Sequence, residues 1–342
     1  MPTDDPALEL ERLGVRYGAT VALADVDLQV AAGEIVALVG PSGCGKSSLL
    51  RAVAGLVPAA GDVRAAGRAL HELPAHRRGI GVVFQDHALF PHLDVAGNVA
   101  FGLVEARAPA AVRRERTGAW LARVGLADRA GDDVDRLSGG ERQRIALART
   151  LAPQPPLVLL DEPFASLDPG LRTRLSLEVA SWLRELGSGA LFVTHDLDEA
   201  LAIADRIAVL RAGRLVQVAA PHDLMARPTD PWTARFVGHE NVWEGAEASR
   251  LPGAPTAALL LAERTRWRPG PDATEGGTPA TCVAASPVRD GWRLTLDVPA
   301  WGARVAWTAR PRELPGGGAP GAGTAGILEA PDGAWRRWAG RR

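Results

Sequence analysis

The stretch Ile35-Val36-Ala37-Leu38-Val39-Gly40-Pro41-Ser42-Gly43-Cys44-Gly45-Lys46-Ser47-Ser48-Leu49-Leu50 decides the fold. Five apolar residues make a short strand buried on both faces. Glycines at 40, 43 and 45 break it, and Leu49, Leu50, Val53 and Leu56 then recur at helical spacing. The turn fits G-x-x-x-x-G-K-[ST] between a strand and a helix, the setting this phosphate-binding loop requires. Glycines let the backbone curl so that several N–H groups face one anion, and the helix N-terminus adds its positive end. Lys46 would reach the β- and γ-phosphates, and the Ser47 hydroxyl would ligate Mg²⁺.

Lys46 is the only lysine among 39 basic residues. Everywhere else arginine serves, so position 46 needs a compact ammonium that a planar guanidinium does not imitate. Tyr17 is likewise the only tyrosine.

Working outward, residues 8–30 alternate as short strands, and 61–64 and 80–84 are further strand candidates. From about 86 to 150 the pattern is helical and arginine-rich. The spacing then predicts strands at 157–160, 190–194 and 207–210, with helices at about 170–186 and 196–204. Apolar strands alternating with helices give an α/β domain with a largely parallel sheet, carrying the helical stretch as an insertion.

Composition shifts near residue 240: all seven histidines lie at or before His239, and seven of ten tryptophans lie after it. Trp292, Leu294, Leu296 and Val298 alternate, with Val305 and Trp307 beyond, between Pro/Gly-rich linkers at 268–279 and 315–326. A small β-domain is expected there, with 315–326 flexible.

The 342 residues suit two domains, and 46% apolar residues supply a sizeable core. A net charge of −1 argues against a dedicated nucleic-acid binder. Two cysteines, Cys44 and Cys282, exclude a disulfide framework. The acidic start is no secretory signal, and no run of eighteen apolar residues spans a membrane.

Two more segments carry chemistry. Leu157-Val158-Leu159-Leu160-Asp161-Glu162 is an apolar strand ending in two carboxylates, at the end where parallel sheets bind ligands. Asp161 would hold Mg²⁺, and Glu162 would polarise an attacking water. Ser138-Gly139-Gly140 opens a helix and presents backbone N–H groups to an anion.

With these motifs in order, residues 8 to about 238 resemble the ATP-binding subunits of ABC transporters. The resemblance implies a P-loop ABC ATPase core over 1–238, with an antiparallel β subdomain and a helical subdomain at about 86–156. It also implies a small TOBE-like (OB-type) β-domain over 239–342. ATP and Mg²⁺ are the implied cofactors, with residues 40–48, Ser48 included, cradling the phosphates. Tyr17 matches the aromatic that stacks on adenine. Gln85 matches the Q-loop glutamine at metal and water, Asp168 the D-loop, and His195 the switch histidine at the γ-phosphate. Glu162, His195 and Gln85 are the implied catalytic set; Ser47, Gln85 and Asp161 the metal set. Glu141 departs from the family's frequent glutamine, beside the phosphate-facing backbone.

The family's subunits close head to tail, so Ser138, Gly139 and Gly140 of one chain would face the P-loop of another. The resemblance further implies integral-membrane permease partners, a peripheral place on the cytoplasmic membrane face, and an extracytoplasmic solute-binding protein acting indirectly. The apolar opening 86–93 would receive a coupling helix. The segment 76–92 looks like the importer group for iron(III), thiamine, polyamines, quaternary amines, phosphonates, sulfate and sugars, with iron(III) or thiamine first. Export, and a soluble ABC ATPase outside transport, are the alternatives; a single cassette without long heptads disfavours the latter.

Overall fold

The alternation in residues 8–30 resolves into two long antiparallel strands, β1 (Leu8–Tyr17) and β2 (Thr20–Val30). The structure, a computed structural model, describes residues 5–85, 88–165, 167–253, 255, 257–269, 277–289, 291–310, 313–314 and 318–338. The chain divides into two units, Met1–Pro221 and His222–Arg342.

In the first unit, β1 and β2 join β4 (Ala60–Ala65) and β5 (Arg68–Ala69) in a four-stranded sheet ordered β2-β1-β4-β5. Its inner face buries Leu8, Leu10, Leu13, Leu23, Val26 and Leu28. The second sheet holds β3 (Ile35–Val39), β6 (Gly81–Val83), β7 (Leu157–Asp161), β8 (Gly189–Val193), β9 (Arg206–Arg211) and β10 (Arg214–Ala219). Its order is β10-β9-β3-β8-β7-β6, and all neighbours are parallel except the edge strand β10. Every residue of β3, β7 and β8 is buried, which is why these strands read as continuous apolar runs.

Helix α1 (Lys46–Ala54) follows β3. It is shorter than the periodicity predicts: Gly55 turns left-handed at φ 78°, and Leu56 falls outside the helix, 51% exposed. The left-handed glycine ends the helix before the apolar stripe does. Arg78 then donates to the Ala52 and Val53 carbonyls at 3.0 and 2.7 Å, satisfying the helix end.

The helical insertion lies between β6 and β7, as α2 (Val95–Glu105), α3 (Ala110–Arg123) and α4 (Gly139–Leu151). Its entry is pinned by the buried Asn98 amide, which donates to the carbonyls of Phe90, Leu93 and Asp94. Phe90 packs on Phe101 at 4.3 Å between ring centres. Within the proposed docking opening, Asp86 and His87 lie outside the described residues. Helices α5 (Pro169–Leu186) and α6 (Leu197–Ile203) complete the alternation around β8.

The second unit is built on antiparallel sheets. β11 (Val242–Glu244), β12 (Ala257–Leu260) and β18 (Trp335–Trp338) form one. The other runs β13-β17-β14-β15-β16, made of β13 (Arg266–Pro269), β14 (Thr278–Val288), β15 (Gly291–Val298), β16 (Ala303–Ala309) and β17 (Ala325–Glu329). Trp267, Trp301, Trp307, Leu294, Leu296 and Leu328 share its core. The tryptophan-rich tail is therefore a small β-domain, as expected. The flexibility expected of 315–326 does not extend to its end. Cys282 N donates to Thr324 O and Gly323 N to Cys282 O, and 325–326 already belong to β17. Residues 315–317 lie outside the described residues, as do 270–276 of the other linker.

Candidate functional site

Four parallel neighbours, β3, β8, β7 and β6, send their C-terminal ends to one edge of the sheet. β3 runs into Gly40, β8 into His195, β7 into Glu162 and β6 into Gln85. The sheet thus gathers motifs that the sequence scatters over more than 150 residues.

The glycine loop is shaped by close approach. A Cβ at Gly40 would lie 2.2 Å from Leu210 O, and one at Gly45 2.7 Å from Ala22 O, with Gly45 at φ 114°. Helix α1 has no side-chain cap, so its first N–H groups remain available to an anion. Lys46 is buried and donates from Nζ to the carbonyls of Gly40 and Pro41 at 2.8 and 3.1 Å. The ammonium is folded back onto the loop it serves. Cys44 is buried too, and that burial pushes its thiol pKa up. Ser42 and Gly43 are exposed at the loop tip.

Beside the loop, Tyr17 is 45% exposed and its hydroxyl donates to Ser48 Oγ at 3.4 Å. A flat ring is thereby held open to solvent next to the phosphate loop. Ser47 Oγ donates to Asp161 Oδ1 at 3.4 Å. Both line an open cavity of about 500 Å³ with Gln85, Phe84 and Arg51. Burial pushes the Asp161 carboxyl up; the Ser47 hydrogen bond opposes this, and Glu162 adds to it. The hydroxyl, carboxylate and amide here are all hard oxygen donors, a set that fits Mg²⁺. A divalent cation would also offset the burial of Asp161.

Glu162 holds an uncommon left-handed backbone, φ 45°, fixed by its N–H donating to Val193 O at 3.0 Å. That twist turns its side chain to His195, whose Nδ1 lies 3.1 Å from Glu162 Oε2. Around them, Thr194 Oγ1 donates to the half-buried Glu199 at 2.5 Å, and Arg172 reaches Asp196 at 3.4 Å. Burial pushes the Glu199 carboxyl up, against the Thr194 hydrogen bond.

Asp168 caps α5, its Oδ1 accepting from Leu171 N at 3.0 Å. Ser166, its neighbour in the same motif, lies outside the described residues. Ser138 caps α4 in a reciprocal box. Its N–H and hydroxyl donate to Glu141 Oε2 at 2.8 and 2.7 Å, while Arg129 holds Oε1 at 3.1 Å. The Ser138 backbone N–H, then its hydroxyl, hold the Glu141 carboxyl below its ordinary value. Glu141 is thus the cap partner of the motif serine. Among the described residues, no hydrogen bond and no shared cavity joins Ser138, Gly139 or Gly140 to residues 40–48. A Cβ at Gly140 would instead meet Leu167 and Leu171 at 3.6 and 3.8 Å.

Sequence reading missed Gln143, Arg172, Thr194 and Glu199. Gln143 is fully buried and donates to Pro163 O, tying α4 to the chain just after Glu162. Its signal was present: with Ala146, Leu147 and Thr150 it fills the buried face of α4 at i, i+3, i+4 and i+7. Among the described residues no helix is long and apolar enough to cross a membrane.

Comparison with known proteins agrees with this geometry. Residues 23–165 match the ABC transporter family. The chain is 44% identical over 315 residues to the Fe(3+) ions import ATP-binding protein FbpC of Streptomyces coelicolor, covering 90% of this chain and 88% of that one. It is 49% identical over 268 residues to the FbpC of Serratia marcescens, covering 77% of each. It is 39% identical over 342 residues to the spermidine/putrescine import ATP-binding protein PotA of Rubrobacter xylanophilus, covering 96% of this chain and 84% of that one. A phosphate loop at the edge of a parallel sheet, a carboxylate–histidine pair beside it, and likeness along nearly the whole chain together place this protein in the ABC transporter family, as an ATP-hydrolysing subunit of an importer.

Proposed function

We propose that this chain hydrolyses ATP to drive import of ferric iron, with Glu162 and His195 at the reaction centre. The observation that supports the catalytic reading is the 3.1 Å contact between these two side chains at the sheet edge that carries the phosphate loop. Lys46 and backbone N–H groups within the 40–48 loop bind the phosphates, and Tyr17 stacks on the base. Ser47, Asp161 and Gln85 hold Mg²⁺, which when bound neutralises charge on the phosphate oxygens. Glu162 takes a proton from the attacking water, oriented by Gln85, as that water displaces ADP from the γ-phosphorus. His195 hydrogen-bonds the γ-phosphate and steadies Glu162.

Two copies close head to tail, each Ser138-Gly139-Gly140 segment and Asp168 facing the other copy's ATP. The nearness of Gly140 to Leu167 and Leu171, which a Cβ there would touch at 3.6 and 3.8 Å, supports this by bringing the two motifs side by side. ATP then favours the closed pair, and ADP with phosphate the open one. Residues 1–238 form the ATPase domain, with its helical subdomain at about 86–156, and 239–342 a TOBE-like domain. The pair docks on permease subunits at the cytoplasmic membrane face, and a separate extracytoplasmic protein delivers the solute.

Ferric iron is favoured by the FbpC relatives in two organisms. Polyamine is the second reading, because the PotA relative aligns over 96% of this chain. Cells lacking the chain, complemented with wild type or Glu162→Gln, are offered labelled ferric iron and labelled putrescine. Iron uptake restored by wild type alone supports the first reading. Putrescine uptake restored in that way moves the cargo to polyamine, and accumulation of a compound in deficient cells would point to export.

A further inference from the structure

His195 sits between Thr194 and Asp196, and hydrogen bonds join Thr194 to the Asp196 backbone and both residues to Glu199. Thr194 Oγ1 donates to Glu199 Oε2 at 2.5 Å and accepts from the Asp196 N–H at 3.0 Å. Asp196 Oδ1 in turn accepts from the Glu199 N–H at 3.2 Å, capping α6. These bonds close a ring that fixes the backbone on both sides of His195. The Thr194 hydroxyl works in both directions in this ring, giving its proton to a carboxylate and a lone pair to an amide.

Arg172, from the first turn of α5, ties this ring to the neighbouring loop. Its Nη1 reaches Asp196 Oδ2 at 3.4 Å, and its Nη2 the carbonyls of Leu167 and Ala165 at 3.2 and 3.4 Å. Those carbonyls belong to the segment that leaves Glu162. One guanidinium therefore spans the loop bearing the carboxylate and the loop bearing the histidine, and Arg172, Thr194, Asp196 and Glu199 meet Glu162 and His195 at one small cavity.

We propose that Thr194, Glu199 and Arg172 are positioning residues that hold His195 against Glu162, an inference that rests on those two carrying hydrolysis. None of the three needs to touch ATP. Their effect runs through the imidazole, whose placement within a fraction of an ångström sets the rate.

The test uses the full chain and compares His195→Ala, Thr194→Val, Thr194→Ser and Arg172→Gln by steady-state ATPase. Valine matches threonine in shape and lacks only the hydroxyl. Thr194→Val and Arg172→Gln are expected to lower kcat about 10–100-fold with KM for ATP within about threefold, as lost supporting hydrogen bonds do elsewhere. Thr194→Ser, which keeps the hydroxyl, returns to within about threefold of wild type. In a His195→Ala background, Thr194→Val adds no further loss, because the residue it positions is gone.

Normal kcat in Thr194→Val and Arg172→Gln beside an impaired His195→Ala overturns the positioning role alone. An equal loss in both backgrounds, or a serine variant as poor as valine, also overturns it and marks the ring as structural. A His195→Ala chain that hydrolyses normally overturns the catalytic reading underneath.

Discussion

Glu162 Oε2 and His195 Nδ1 lie 3.1 Å apart although 33 residues separate them in the chain. The parallel pairing of β7 with β8, with Asp161 opposite Val193, creates the contact. Glu162 extends that pairing by one hydrogen bond before its left-handed turn. Replacing Glu162 by glutamine keeps shape and removes the basic carboxylate. Glu162→Gln is expected to bind ATP normally, to lose hydrolysis by about 10²–10⁴-fold, and to accumulate a dimer with ATP. Phosphate release and light scattering with and without ATP check this.

Lys46 donates to two loop carbonyls from a buried position. Arginine is longer, planar and unable to condense its donors at one point. Lys46→Arg is expected to weaken ATP binding on the order of 100-fold, about 2.7 kcal/mol, with the fold intact. Titration with a fluorescent ATP analogue beside circular dichroism separates the two effects.

Gly45 has φ 114°, and a Cβ there would press on Ala22 O at 2.7 Å. Gly45→Ala combines backbone strain of about 1–3 kcal/mol with a steric clash against another strand's backbone. The melting temperature is expected to fall by about 2–4 °C per kcal/mol, and ATP binding to be lost. Scanning calorimetry with and without ATP measures both.

Burial holds the Asp161 carboxyl above its ordinary pKa. The nucleotide-free folded chain therefore binds that proton more tightly than the unfolded chain does. Stability falls as pH rises from the ordinary carboxylate value through the raised one, and the loss is complete above it. Asp161→Asn removes this dependence. At neutral pH it is expected to melt a few degrees higher than wild type while losing Mg²⁺-dependent hydrolysis. Melting curves from pH 4 to 8, without nucleotide, test the sign.

Trp267 is buried at the centre of the second unit, against Trp307 at 6.3 Å between ring centres. Trp267→Ala is expected to cost about 3–5 kcal/mol in that unit. ATPase activity of the first unit should survive at temperatures where the second has melted. Tryptophan fluorescence and activity, followed on one temperature ramp, give the comparison.

The parallel sheet was legible because its strands are buried on both faces and carry unbroken apolar runs, as at Leu157–Asp161. The phosphate loop was legible because its glycines follow from backbone crowding at Gly40 and Gly45. Short pairings were not: β5 is two residues long, and β10 is a half-buried edge strand. Leu56 misled because its spacing fits a helix that Gly55 had already ended. Thr194 and Glu199 meet through a local turn at the start of α6, and Arg172 reaches Asp196 from 24 residues away, so neither shows as an apolar period in the sequence.

The burial of Lys46 has a consequence for chemical labelling. The 342-residue sequence offers a single ε-amine, and it lies under the phosphate loop at 8% exposure. Acetylation, ubiquitin-type conjugation and amine-directed crosslinking thus share one side-chain address on this protein. A bound triphosphate would cover that address, so slow acylation of Lys46 becomes a gauge of how many copies are loaded. The same scarcity would leave lysine-directed crosslinking with no side chain but Lys46 through which to join this subunit to its partners.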